Sequence, residues 1–247
     1  MSETLVLPKI DVPIYDLTLP STGETVRFRP FLVKEEKLLL IAAESKETET
    51  IIKTTKQVIN NCLVDSGAIN VETLPFFDID YLIIALRAKS VGENIDMEYE
   101  CNNMVEGARC GGKFKTVIDI SNCVIDKPDT SITPDVKFSD KITVKMKYPT
   151  YTTMKVINGN DNIMDKKIHI IMGCIERIVN GDKIYSTKDF SKDELKGFVE
   201  GLTHEQYEKL EYFVDNLPGF AVETEGKCPK CGFEHKLKYK DFTSFFR

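Results

Sequence analysis

Hydrophobic and polar residues alternate near the start of the chain: Ile14, Leu17 and Leu19 precede Ser21-Thr22-Gly23, and Val26, Phe28 and Pro30 follow it. This pattern predicts two strands joined as a hairpin. The period then lengthens. In VKEEKLLLIAAES, Leu38, Leu39, Ala42 and Ala43 form an apolar stripe, and Glu35 and Glu36 occupy the first turn, where the helix dipole favours negative charge. A second helix is predicted from about Glu47 to Leu63, because Ile51, Ile52, Val58, Ile59, Cys62 and Leu63 recur at helical spacing before Ser66-Gly67. LPFFDIDYLIIALRAKS predicts a third helix from about Asp78 to Lys89, with Asp78 as its cap. The three helices fit one bundle.

From Gly92 the period is two. Ile95, Met97 and Tyr99 lead into Cys101, and Phe114, Thr116, Ile118 and Ile120 follow Cys110, so two strands are joined through a cysteine-bearing loop. The Pro-, Ser-, Thr- and Asp-rich stretch CVIDKPDTSITPDVKFSD reads as a linker, and KITVKMKYP as a strand. Ile168, Ile171, Met172, Ile175 and Ile178 share one face of a helix predicted over about Ile163 to Val179, stopped by Asn180-Gly181, with DKIYS a short strand. Two capping boxes, Ser191 with Glu194 and Thr203 with Gln206, announce two more helices. In the tail, Phe220, Val222 and Thr224 precede Cys228 and Cys231, and His235, Leu237 and Tyr239 follow them, a second strand, knuckle, strand unit. The fold class expected is α+β: helical bundle segments plus an antiparallel sheet carrying a discontinuous zinc-ribbon-like module. The division expected is 1–90 for the hairpin and first helices, 91–120 with 220–242 for the discontinuous module, and 141–219 for a strand and helical region.

The composition, 42% hydrophobic, 29% charged and 9% aromatic over 247 residues, is that of a globular chain able to bury a core. Net charge is -6, which repels nucleic-acid phosphates and anionic lipid, and no long Lys/Arg run reverses it. MSETLVLPKIDVPIYD lacks the basic and apolar pattern of a signal peptide, and no apolar stretch approaches the roughly 18 residues that span a bilayer. A cytoplasmic protein is expected.

Seven cysteines, an odd number spread over a chain without an export signal, argue against a disulfide framework. Cys62, Cys123 and Cys174 read as buried thiols. Cys228-Pro229-Lys230-Cys231-Gly232 is different: a tight turn aims two sulfurs one way, and the following glycine tolerates a left-handed backbone. Cys101 and Cys110, in a widened knuckle also followed by glycines, are the natural source of the other half of a four-thiolate zinc site. The alternatives are a site including His235, unligated thiols, or a redox pair, although a redox CxxC calls for a helix after it and here a strand follows. Four sulfurs leave no open coordination position, so the metal expected is structural. Its binding, on the order of 10 kcal/mol, would close a loop of over a hundred residues.

Catalytic signals are weak. His169, His204 and His235 have no nucleophile motif around them and read as surface or core histidines, and the carboxylates are scattered. In the terminal DFTSFFR, Asp241 is placed to cap a last turn showing Phe242, Phe245 and Phe246, for packing inward or onto a partner.

Taken in order, VRFRPFLVKEEKLLLIAAES, LRAKSVGENIDMEYEC, KYPT, CIERIVNGDKIY and CPKCGFEHKLKYKDFTSFF resemble the baseplate hub assembly proteins of T-even-type contractile-tailed phages. The resemblance implies a protein made in the infected host's cytoplasm that acts in building the central baseplate hub by binding other hub or tail proteins, with the virion baseplate as a second location. It implies similar strand-borne cysteine pairs at Cys101, Cys110, Cys228 and Cys231; with the missing catalytic constellation it points to a non-enzymatic protein, and no membrane, nucleic acid or small-molecule substrate is expected as a partner. Two other classes compete. Lys227, Lys230, Lys236, Lys238 and Lys240 crowd one segment, as in a zinc-ribbon nucleic-acid binder, although the acidic total opposes it. A metal-dependent enzyme would need the coordination position that four sulfurs deny.

Overall fold

Alternation places the first hairpin correctly, β1 (Tyr15–Thr18) pairing antiparallel with β2 (Thr25–Phe28). A computed structural model describes residues 10–65, 67, 69–121, 124–126, 133–154 and 162–239 of the chain. Cys123, Lys240 and the terminal DFTSFFR lie outside the described residues. Within them the protein combines seven helices with several small antiparallel sheets.

Helices α1 (Val33–Ser45), α2 (Thr48–Cys62) and α3 (Phe76–Ser90) follow the hairpin. Only Leu39 and Ala42 of the predicted α1 stripe are buried, with Leu38 partly exposed. α3 is apolar around most of its circumference, and Phe77, Ile79, Leu82, Ile83, Ile84 and Leu86 are all buried, so neighbours cover it on every side. Each such side chain removed from water contributes about 1.5–3 kcal/mol. Around α3 gather Leu19, Val26 and Phe28 of the hairpin region, Val58, Ile59 and Cys62 of α2, and Phe220 and Val222 from far along the chain. Asp78 does not cap α3, whose N-cap is Pro75; its buried carboxylate instead accepts from the Ser21 N–H at 3.1 Å and from the Ser21 hydroxyl, tying the hairpin turn to the helix.

The next strands are β3 (Asn94–Glu100) and β6 (Lys113–Asp119), paired in full register, with the miniature hairpin β4 (Met104–Val105) and β5 (Ala108–Arg109) between them. Two strands fall within the predicted linker: β7 (Val124–Asp126) joins a sheet in the order β13-β12-β7, and β8 (Asp135–Lys137) joins one in the order β11-β10-β9-β8. There β9 is Ile142–Met146, β10 Ile175–Asn180 and β11 Lys183–Ser186, while β12 is Gly219–Lys227 and β13 Glu234–Tyr239. The strands make separate small sheets, not one. Between β9 and the second helical group lies the short α4 (Tyr151–Met154).

The long helix predicted to Val179 ends earlier. α5 spans Ile163–Cys174, and Ile175–Asn180 is β10, paired on both sides. Ile171 and Ile175 are both buried in one core, so helical spacing persists across the junction, but the β-branched run Ile175, Ile178, Val179 fits a pleated strand. Asn180-Gly181 therefore opens a hairpin loop, with Gly181 at φ 57, instead of ending a helix. The capping boxes of α6 (Lys192–Glu200) and α7 (His204–Asp215) form as expected. A second core collects Val144, Met146, Ile171, Cys174, Val199, Leu210 and Phe213. Tyr148 bridges the two cores, edge-on to Phe77 at 5.1 Å and stacked near Phe213 at 6.0 Å, while the Tyr151 hydroxyl donates to buried Asp80.

Glu35 closes the start of α1. Its carboxylate accepts from the Leu32 N–H at 2.8 Å and from Arg29 at 3.2 Å, and Arg29 also donates to the carbonyls of Pro30 and Asn61, both at 2.9 Å. Burial pushes the Glu35 carboxyl up, but Arg29 and the Leu32 N–H more than reverse this and leave it below its usual range. A lowered pKa means that this stability is present above the unfolded-state pKa and lost as pH falls through the folded one. Glu35→Ala is expected to lower the unfolding free energy by about 2 kcal/mol at neutral pH, the scale of hydrogen bonds to charged groups. Urea titration checks it, and the gap from wild type should narrow as the carboxyl protonates.

Candidate metal centre

Two hairpins converge at their cysteine ends. The β3–β6 pair is joined to the β12–β13 pair through side chains: the Thr116 hydroxyl reaches the Glu225 carbonyl at 3.1 Å, the Thr224 hydroxyl reaches the Val117 carbonyl at 3.0 Å, and the two hydroxyls are 3.2 Å apart. Gly226 belongs to the same seam, where a Cβ would stand 2.3 Å from the Phe114 ring. Strands so aligned carry both knuckles to one end.

The knuckles share a build. Cys228 N–H donates to the Phe233 carbonyl and Gly232 N–H to the Cys228 carbonyl, both at 2.9 Å, and Gly232 takes the left-handed φ of 74 that its position after Cys231 anticipated. Gly111, directly after Cys110, has φ 64. The wide spacing between Cys101 and Cys110 is absorbed by the β4–β5 hairpin, whose base is closed by Cys110 N–H donating to the Asn103 carbonyl at 2.8 Å. Its turn places both Glu106 and Gly107 at positive φ, as a two-residue turn matched to strand twist requires. The extra residues project outward and leave the sulfur positions alone.

All four sulfurs lie within 4.8 Å of one another. Cys101 stands 3.6 Å from Cys231, and Cys110 stands 3.8 Å from Cys228, so each close pair takes one sulfur from each hairpin. These are not disulfides, which need about 2.05 Å. Backbone N–H groups two residues on point at three of the sulfurs: Asn103 at Cys101, Gly112 at Cys110 and Phe233 at Cys231. Cys101, Cys110 and Cys228 are buried with Phe114 and Leu237, and Cys231 is half-buried.

Electrostatics divide the set. Burial pushes the Cys101 thiol up to about 12, against the Asn103 N–H. The Phe233 N–H leads the groups that hold the Cys231 thiol down. Cys62 and Cys174, raised by burial to about 11 and about 12, are the inert core thiols that their spacing implied.

The histidines separate sharply. His204 is exposed and pairs with Glu208 at 3.1 Å, and His169 has a buried Nδ1 without a partner among the described residues. His235 is buried with Nε2 3.1 Å from the Cys101 sulfur, its ring stacked on Phe114 at 5.2 Å and edge-on to Phe233 at 4.8 Å. A site including His235 was one of the alternatives the sequence offered, and strand pairing brings this ring to the cluster beside Cys101. A cysteine beside a histidine also describes a nucleophile with its base. Here the sulfur is wholly buried and crowded by Cys231, so no carbonyl or other electrophile reaches it.

The lysines of the tail do not form a bare cationic stripe. Lys227 faces Glu234 at 3.3 Å, Lys238 faces Glu223 at 3.2 Å, Lys236 faces Glu225 at 3.9 Å, and Lys230 donates to the Cys110 carbonyl at 2.6 Å. Among the described residues no helix is long and apolar enough to cross a membrane.

Fold and cluster together define a mixed helix and sheet protein in which two distant hairpins meet through four thiols. The family model described as T4 bacteriophage base plate protein matches residues 12–247, and the chain belongs to that family, whose members are parts of a phage tail baseplate. No curated protein and no solved structure matches the chain.

Gly112 has no room to grow: a Cβ there would lie 2.7 Å from the Cys228 sulfur and 2.8 Å from the Lys230 Cβ. Gly112→Ala is expected to cost roughly 1–3 kcal/mol, as overpacking does. Gly197→Ala, in the open on α6, is expected to be neutral or stabilising by about 0.4–1 kcal/mol. Denaturant unfolding separates them. By the same measure Cys228→Ser should destabilise more than Cys62→Ser, since it disrupts a four-sulfur cluster and not one lone core position.

Proposed function

We propose that the protein acts without catalysis in building the central hub of the baseplate, through contacts with other hub and tail proteins in the infected host's cytoplasm. The observation that carries this reading is the family match over residues 12–247. The match takes in nearly the whole chain, which supports a baseplate role for the fold as a whole.

The surface supports a contact role. The outer face of α1 exposes Val33, Leu40 and Ile41, and the β4–β5 hairpin exposes Met104 and Val105. Between β10, β11 and α6 lies a groove of about 360 Å³ lined by Ile142, Ile178, Tyr185, Phe190, Leu195 and Phe198. Apolar groups left in water on a folded protein commonly mark where another protein covers them. The cross-strand lysine and glutamate pairs also favour protein contacts over nucleic acid, since each of those cations already faces an anion.

Co-expression of the chain with the other baseplate proteins of its phage, followed by affinity purification, tests the reading. Stoichiometric recovery of at least one hub protein is expected. A monodisperse chain that leaves every one of them behind would overturn it.

A further inference from the structure

We propose that Cys101, Cys110, Cys228 and Cys231 hold one zinc ion as a closed tetrathiolate, and that His235 is a positioning residue that donates its Nε2–H to the Cys101 sulfur. This inference stands on geometry and is independent of the baseplate reading.

Tetrahedral zinc binds thiolates at about 2.3 Å, which sets neighbouring sulfurs about 3.8 Å apart. The close pairs in the protein stand at 3.6 and 3.8 Å, and no sulfur lies beyond 4.8 Å of another. What points to an ion is the gathering of four sulfurs around one point, all within reach of a common centre, while disulfide bonding requires a much shorter separation. The left-handed glycines after Cys110 and Cys231, each followed by an N–H aimed back at the sulfur, make two matching half-sites.

The shell suits an anionic centre. Binding takes all four sulfurs as thiolates, releases to solvent the protons they still carry and moves no electrons, so a dipositive ion with four thiolates leaves two negative charges in a largely apolar place. N–H donors gather where those charges fall: the three backbone groups, His235 at 3.1 Å from Cys101, and Asn103 Nδ2 at 3.8 Å from Cys231. The Lys230 ammonium, 2.6 Å from the Cys110 carbonyl, adds a full positive charge nearby. With Phe114 and Phe233 against its ring, His235 is held in one orientation. Tetrahedral sulfur sites suit zinc or iron, and at a given site zinc binds more tightly than ferrous iron. Four protein ligands leave no place for substrate, so the ion is structural.

The test uses the full chain, purified under reducing conditions and reconstituted with zinc alone before removal of excess metal. Elemental analysis should find one zinc per chain, and cobalt substitution should give the visible spectrum of a tetrahedral tetrathiolate. Retention of well under one zinc after reconstitution, or of iron in its place, overturns the assignment, as does wild-type zinc retention by Cys228→Ser. For His235, competition against a chromophoric chelator should show His235→Phe weakened about 10–100-fold, the scale of lost outer contacts to metal ligands, with His235→Gln closer to wild type because it keeps an N–H. Equal affinity of the Phe variant and wild type would remove His235 from the proposal.

Discussion

Four sulfurs drawn from two hairpins meet in a space barely larger than one coordination sphere, and much of the molecule is arranged so that they can. Cys110 and Cys228 are 118 residues apart in sequence, so their meeting closes nearly half the chain into a loop, at an entropic cost that local contacts must offset. The seam that offsets it consists of threonine hydroxyls and close packing, with no strand ladder between β6 and β12. Gly112 and Gly226 are small because a sulfur and an aromatic ring occupy the space a side chain would need.

The same seam sets the environment of His235. Gly226, its partner across the β12–β13 ladder, leaves room for Phe114, and Phe114 stacks on the imidazole that faces Cys101. A backbone pairing thus becomes a constraint on one ring nitrogen. Apolar side chains stand exposed on α1 and on the β4–β5 hairpin, away from this seam. That hairpin is anchored at its base by the knuckle and exposes Met104 and Val105 along its first strand.

Loop closure also explains why the rest of the chain needs its own cores. The segments between the cysteine pairs pack as a second cluster around α5, α6 and α7, linked to the first through Tyr148 against Phe77 and Phe213. Phe220 and Val222 come back to α3 just ahead of Cys228. The knuckle therefore arrives already steered by apolar burial.

Local chemistry is what the sequence by itself determined. The first hairpin, α2, both capping boxes and the strands flanking the cysteines follow from period, turn residues and hydroxyl acceptors, all of which act within a few residues. The convergence of Cys101 and Cys110 on Cys228 and Cys231 was legible as well, because each pair sits in a like knuckle between strands. Tertiary structure decided the rest. Ile175 to Val179 satisfies helical spacing and strand propensity alike, and neighbours β9 and β11 made it a strand. Asp78 had the position of a cap, but Ser21 lay within its reach. The sequence offered His235 as a possible member of the site, but its place beside Cys101 rests on the β12–β13 pairing and on packing against Phe114 of β6, which spacing along the chain does not specify.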